Sequence, residues 1–229
     1  DSFGHEDYMI EAAKEYPEVQ FCHATGFQAA GSGLSNMHNF FTSIYEARYV
    51  SGVVAGLKLN QMIEDGTVKE DACKIGYVGA YPYAEVISGY TSFFLGVRSV
   101  CPSATMEVKY TNSWASFDLE KEALTSASNN WGIYMTYAVQ SVLDGTEIPA
   151  DWCKGFSDGA VLVTELNDKA VAPGTKEKVE EVEAKLASGE LHVFDTSTWT
   201  VNGETLDTYK KDGSDIEYIS DGYFHESEF

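Results

Sequence analysis

Basic residues are scarce in this sequence. Fifteen Lys and Arg stand against 36 Asp and Glu, a formal net charge of −21. A chain this acidic lacks the clustered cations that neutralise phosphates, which argues against general nucleic-acid binding. The same deficit argues against adsorption to an anionic membrane surface. No apolar run approaches the roughly 20 residues of a membrane helix. The opening residues show no basic stretch followed by an apolar core, so no signal peptide is read in the sequence as it stands. The four cysteines, Cys22, Cys73, Cys101 and Cys153, fit neither a CxxC metal pattern nor a disulfide-dense small domain. Their even number leaves both up to two disulfides and four buried thiols open.

The common catalytic and cofactor signatures are missing as well. There is no phosphate loop, no HExxH and no GxSxG elbow. Gly31-Ser32-Gly33 begins like a dinucleotide loop, but no strand leads directly into it and Asn36 stands where the third glycine belongs. The five histidines are scattered. Cys22 and His23 are neighbours in a predicted strand, where adjacent side chains point to opposite faces, so they do not form a dyad. Carboxylate pairs are too common in so acidic a chain to mark a site.

What is present is an ordinary globular composition. The 229 residues include 44% hydrophobic and 22% charged residues, enough for a sizeable core. Residues 7–16 read as an amphipathic helix stopped by Pro17, followed by a strand at Val19–Cys22. A Gly- and Ser-rich loop spans Thr25–Ser35, and Ser35 or Asn36 is placed to cap the next helix. That helix is predicted from about Met37 to Leu59, with Phe41, Ile44, Ala47, Val50, Val54 and Leu57 at helical spacing. Gly52, Ala55 and Gly56 give it a small face for close packing. Lys74–Gly79 reads as a buried strand, the segment through Val86, Tyr90, Phe93, Val97 and Val100 as a helix, and Thr105–Tyr110 as a strand. These three make a βαβ unit, which implies a parallel pair and an α/β fold. Further helices are expected at Asp118–Leu124, Asn130–Leu143 (with Ile133, Tyr137, Ala138 and Val142) and Thr175–Ala187, and a strand at Ala160–Val163. Asn202-Gly203 suggests a hairpin turn, and the acidic tail from Asn202 reads as a solvated segment.

In open α/β sheets ligands sit beyond the carboxyl ends of the strands. Tyr81-Pro82 follows one such end and Asn112-Ser113-Trp114 another. An aromatic ring beside an amide suits a flat heterocycle, which stacks on the ring while the amide reads its edge. The same residues also serve as loop plugs against helices.

Three stretches carry a family resemblance. The first runs from Ser2-Phe3-Gly4-His5-Glu6-Asp7-Tyr8 through Ala13-Lys14-Glu15-Tyr16-Pro17 to His23-Ala24-Thr25-Gly26. The second joins Ile44-Tyr45-Glu46-Ala47-Arg48-Tyr49-Val50-Ser51-Gly52, Lys74-Ile75-Gly76-Tyr77-Val78-Gly79 and Tyr110-Thr111-Asn112-Ser113-Trp114. The third comprises Leu124-Thr125-Ser126, Asn130-Trp131-Gly132, Val142-Leu143-Asp144-Gly145-Thr146 and Gly155-Phe156-Ser157-Asp158-Gly159. Together they resemble the BMP (basic membrane protein), or PnrA-like, family of substrate-binding lipoproteins of ABC transporters. The net charge departs from the family's name.

The resemblance implies a type I periplasmic-binding-protein fold, with two Rossmann-like α/β lobes, hinge crossovers and a ligand trapped by closure. It places residues 1–28 and 125–155 in lobe 1, 29–124 in lobe 2, and 156–229 in the last crossover and a C-terminal packing segment. Family members carry a first βαβ region before the equivalent of Asp1. They also carry a strand, a helix and a hinge strand between the equivalents of Glu122 and Thr125. This sequence shows neither, and the expectation is that it closes over segments the protein possesses, since a direct join would link elements of different lobes.

The implied activity is capture of a purine nucleoside or base outside the cytoplasm, as a periplasmic or cell-surface lipoprotein held by an N-terminal lipid anchor and serving an ABC permease. No catalysis, cofactor or metal is implied. By resemblance, Asp7 hydrogen-bonds the purine edge, Phe3 and Trp114 lie near the base, and Tyr81 and Glu85 border the lobe 2 side. Asn129 stands where many members have lysine, and the variants Asn112-Ser113-Trp114 and Asn130-Trp131-Gly132 resemble those of adenine-type binders. The family view also sets Cys73, before a strand, and Cys101, after the following helix, at one edge of a βα unit as a candidate disulfide. Competing readings are a ligand-sensing receptor on the same fold, a surface interaction protein, and a nucleoside-processing enzyme, for which the sequence shows no clustered Asp set.

Overall fold

The structure, a computed structural model, describes residues 4–112 and 126–194, together with the backbone of 200–201, 204–205, 210–211 and 214–215. The helix expected at Asp118–Leu124 and most of the acidic tail lie outside these described residues.

The chain begins with α1 (Glu6–Glu15), whose first turn carries Glu6 and Asp7 and whose last carries Lys14, in the sense that the helix dipole favours. Asn36 does not cap a following helix. Its Nδ2 lies 3.0, 3.2 and 2.9 Å from the carbonyls of Ala13, Tyr16 and Val19, and so satisfies the carboxyl end of α1. β1 (Phe21–Ala24) follows, and the segment read as loop contains a single turn, α2 (Ala29–Ser32). β2 (Met37–Thr42) pairs in parallel with β1 on one side and with β6 (Asp151–Lys154) on the other, in the order β1-β2-β6.

The helix expected from Met37 to Leu59 is therefore two elements, β2 and α3 (Ile44–Glu64), joined at Ser43. All six residues of β2 are buried. A central strand covered on both faces shows no polar alternation, so the spacing of Phe41, Ile44 and Ala47 passes for a helix. The expected boundary at residues 28–29 falls inside this unit, because β2 shares a sheet with both β1 and β6.

One face of this sheet presents Phe40 and Trp152 to Tyr134 and Ala138 of α5 (Trp131–Asp144). Phe40 and Tyr134 stack at 4.1 Å between ring centres. The other face sets Phe21 and Met37 against Ala13 and Ala29. α5 buries Tyr134, Ala138 and Ser141, whereas Ile133, Tyr137 and Val142 are exposed. The helix is apolar on nearly every side, so its sequence period does not select the inward face.

The expected βαβ unit is formed by β3 (Lys74–Gly79), α4 (Ala84–Val100) and β4 (Thr105–Tyr110), with β3 and β4 parallel and Lys74 opposite Thr105. The small face of α3 meets α4 at backbone distance. A Cβ on Gly52 would strike the Phe93 carbonyl, and one on Gly96 the Tyr49 carbonyl. β5 (Ala127–Asn129) pairs antiparallel with β7 (Val161–Val163). α6 (Thr175–Ser188) turns Val179, Val182 and Leu186, as the sequence indicates, onto Tyr45, Tyr49 and Val50 of α3. β8 (Thr200–Val201) and β9 (Glu204–Thr205) pair antiparallel, β10 (Lys210–Lys211) pairs with β11 (Ser214–Asp215), and Asn202-Gly203, where the turn is expected, lies outside the described residues. All four cysteines are thiols in the structure.

Gly96→Ala forces α3 and α4 apart and lowers unfolding stability by about 1–3 kcal/mol, as overpacking does. Gly31→Ala, where nothing lies within 4 Å of the added carbon, leaves stability unchanged or slightly raised. Urea unfolding of the two variants beside the parent separates these outcomes.

Candidate functional site

Polar groups gather at the carboxyl ends of β1 and β2. Thr25, the residue after β1, has φ 65°, a left-handed conformation costly for a β-branched side chain. Gly26 follows, and a Cβ there would run into the side chains of Asn39, Glu6 and His23. Glu6 is only 6% exposed. Its Oε1 accepts the backbone N–H groups of Phe27 (2.8 Å) and Gln28 (2.7 Å), and its Oε2 accepts Gln28 Nε2 at 3.3 Å. A buried carboxylate is tolerated when N–H donors surround it. Gln28 Nε2 also donates to Asp7 Oδ1 at 2.9 Å, so the exposed Asp7 carboxylate is held by a side chain that is itself fixed through Glu6.

At the end of β2, Thr42 Oγ1 donates to Oδ1 of Asn129 in β5. Trp131 opens α5 with its ring edge on Phe40 (centroids 5.4 Å, 84°) and tilted on Phe41 (6.0 Å, 49°). Trp131 is therefore tied to the sheet near the carboxyl end of β2.

A second group sits at the carboxyl end of β3. Tyr81 and Tyr83 stack at 5.3 Å with planes 15° apart, and Tyr83 is 47% exposed. Glu85 lies in the first turn of α4, 3.9 Å from Arg48 Nη2 of α3. Burial pushes the Glu85 carboxyl above the usual carboxylate range, and the Arg48 charge pulls it partly back. Gly89 leaves the space that the Arg48 guanidinium occupies. Beneath, Tyr110 donates to the Tyr90 hydroxyl at 3.3 Å, and burial is the main reason the Tyr90 phenol is pushed up to about 12.

Phe3 and Trp114 lie outside the described residues. The other five expected residues fall into two sets, with Asp7, Asn129 and Trp131 by the β1-β2-β6 sheet and Tyr81 and Glu85 by β3. Sequence reasoning passed over Glu6, Gln28, Thr42, Tyr83 and Arg48. Arg48 stands within one of the family stretches and Tyr83 is two residues from Tyr81, so both carried a signal. The bridge from Gln28 to Glu6 and Asp7 crosses more than twenty positions and carried none. Among the described residues, cavities also open elsewhere. One of about 270 Å³ is lined by Leu34, Met37, His38 and Ile148, and one of about 640 Å³ by Val68, Glu70, Asp71 and Ser103. Both lie toward the amino ends of strands. Among the described residues no group of three or more His, Cys, Asp or Glu is placed to hold a metal.

Parallel α/β units with aromatic and carboxylate side chains at their strand ends have the layout in which open α/β sheets hold small ligands. The model of the PnrA-like ABC transporter substrate-binding proteins (Bmp) matches residues 2–123, and the chain belongs to that family. A Brucella abortus protein named as purine-binding is 30% identical over 262 residues, covering 90% of this chain and 69% of that relative. That match is longer than the part of this chain it takes in, so the relative carries residues within the matched span that this chain lacks. A Haloferax volcanii protein whose name gives it as an ABC transporter glucose-binding protein is 36% identical over 122 residues, 53% of this chain and 27% of the relative. Among solved structures, an ABC transporter solute-binding protein from Conexibacter woesei superposes with TM-score 0.60 at 16% identity, covering 82% of this chain and 75% of its own. One from Aeropyrum pernix gives TM-score 0.60 at 13% identity, covering 82% and 74%.

A carboxyl pKa raised in the folded state means the folded chain holds a proton that the unfolded chain releases. The stability due to Glu85 is thus complete below about 4.5, the ordinary value, and falls as pH rises toward the raised value. Glu85→Gln removes this slope. Its stability relative to the parent therefore rises between pH 4 and pH 7 in urea unfolding, and a flat difference would contradict the assignment.

Proposed function

We propose that the chain is the extracytoplasmic capture component of an ABC importer, closing on a purine nucleoside or base and presenting it to the permease. In this reading the β1-β2-β6 sheet with α1, α2 and α5 is one lobe, and β3-α4-β4 with α3 is the other. β5 and β7 are crossover strands, and the chain is anchored to the membrane through an N-terminal lipid.

The observation that carries the reading is the Tyr81–Tyr83 ring pair beside Glu85 at the carboxyl end of β3. A partly exposed ring offers a stacking plane for a base. Carboxylates such as Asp7 and Glu85 accept from ring N–H and exocyclic amine donors, while the Asn129 amide can both donate and accept. The name of the Brucella relative supports a purine. The name of the Haloferax relative favours a second reading, a sugar, since rings and carboxylates also grip a pyranose.

Isothermal titration with adenosine, guanosine, inosine, the free bases and glucose tests both readings. A purine is expected to bind, and Tyr81→Ala weakens it by about tenfold or more, the scale of one base–aromatic stack. Binding of glucose with silence from every purine would establish the sugar reading instead. Silence across the whole panel would count against both.

A further inference from the structure

We propose that Cys73 and Cys101 form a disulfide that staples the amino-end edge of the β3-α4-β4 unit, while Cys22 and Cys153 stay as thiols. Cys73 immediately precedes β3, and its carbonyl accepts both the N–H (3.0 Å) and the hydroxyl (3.1 Å) of Thr105 at the start of β4. Cys101 ends α4, donating its N–H to Val97 at 2.9 Å, and its carbonyl accepts the Ala104 N–H at 3.1 Å. One cysteine therefore faces the Ala104–Thr105 junction, and the other reaches that junction round a single tight turn.

The side chains converge as the backbone does. Cys73 is 2% and Cys101 1% exposed, in one apolar cluster with Leu59, Val97 and Ala104. Both sulfurs address the same hydroxyl, with Cys73 Sγ donating to Ser103 Oγ at 3.5 Å and Cys101 Sγ lying 3.9 Å from it. A buried thiol behaves as a small hydrophobe and has little need of a polar partner. Two of them on one serine mark a place where the sulfurs meet. Ser103 also lines the 640 Å³ cavity beside Val68–Asp71, which opens next to the pair.

The Cys22–Cys153 pairing fails on geometry. Cys22 in β1 stands opposite His38, and Cys153 in β6 opposite Phe41, with β2 between them. Two strand spacings of roughly 9–10 Å in all and a three-residue stagger of roughly 10 Å along the strands put them roughly 14 Å apart, beyond the ~7 Å that a disulfide spans. His38 and Phe41 also point to opposite faces of the sheet, and their partners follow them. Cys22 packs with Phe40 and Tyr134, in a different cluster from Cys73 and Cys101.

Formation needs a disulfide oxidant, either a small molecule or a protein. One cysteine thiolate attacks a sulfur of the oxidant and expels a thiolate, giving a mixed disulfide. The second cysteine then attacks the sulfur of the first and expels the other half. Two electrons and two protons leave the pair, and the oxidant departs as two thiols. Burial raises the Cys101 thiol above its usual range, so exchange belongs to the folding or locally open chain, and the closed bond is shielded.

The full chain, refolded in a glutathione redox buffer, is alkylated under denaturing, non-reducing conditions and mapped by peptide mass. The expected result is alkylation of Cys22 and Cys153 only, with one peptide pair linked through Cys73 and Cys101. Reduction then lowers Tm by on the order of 5–10 °C, and the Cys73→Ser, Cys101→Ser double variant melts at one temperature with or without reductant. Four alkylated cysteines, a different linked pair, or an unchanged parent Tm on reduction would overturn the proposal. The peptide map decides the matter even if the variant does not fold.

Discussion

The close approach of α3 to α4 sets the position of almost everything else. Gly52, Gly56 and Gly96 leave no side chain between the two helices, so the Tyr49 and Phe93 carbonyls come to van der Waals range of the opposing backbone. Only then does α3 have its remaining faces free. Tyr45, Tyr49 and Val50 receive α6, while Arg48, one position from Tyr49, is carried to the start of α4 beside Glu85. At its amino end α3 also holds the segment that follows β6. Glu46 accepts the Phe156 N–H at 2.6 Å, and Gly155 is bare because that carboxylate fills the space a Cβ would take. One helix thus links the βαβ unit, the segment after β6 and the sheet from which it emerges at Ser43.

Each sheet treats its two ends differently. Toward the amino ends of β3 and β4 the groups are apolar and sulfurous, in the cluster around Leu59, Cys73, Val97 and Cys101. Toward the carboxyl ends they are polar and connected. The Glu6 carboxylate accepts the Phe27 and Gln28 N–H groups just before α2, and it fixes Gln28, which fixes Asp7. A residue that reads as surface charge in sequence is thus the anchor of a polar chain, because its burial is possible only with those donors in place.

How much of this was legible depends on the kind of signal involved. The βαβ unit was, since glycines bound Lys74–Gly79 and the apolar positions of α4 fall at helical spacing. α6 was too, because one stripe of Val179, Val182 and Leu186 is set against charge. β2 was hidden by its own complete burial, and the inward face of α5 by apolar residues all round it. β5 and β6 are three and four residues long and rich in polar side chains, too short for alternation to register. At the site, Tyr81 was singled out by the rule that strand ends carry ligands and Glu85 by the family resemblance, whereas the Thr42–Asn129 and Gln28–Asp7 links join positions that only the fold brings together.

The backbone itself carries the same division. Thr25 and Asn112 are the two non-glycine residues with positive φ among those described, at 65° and 54°. Each lies just past the carboxyl end of a strand, Thr25 after β1 and Asn112 two residues after β4. Such conformations persist only where the surroundings over-determine them, and here they do. Thr25 donates its N–H to the Phe40 carbonyl at 3.0 Å, extending the β1–β2 ladder, and Thr111 donates to Gly79 at 2.9 Å, extending β3–β4. In both cases the ladder runs one residue past the strand and then turns the chain sharply. The side chains that follow Thr25 are thereby set at the end of β1, on a backbone fixed by a sheet hydrogen bond.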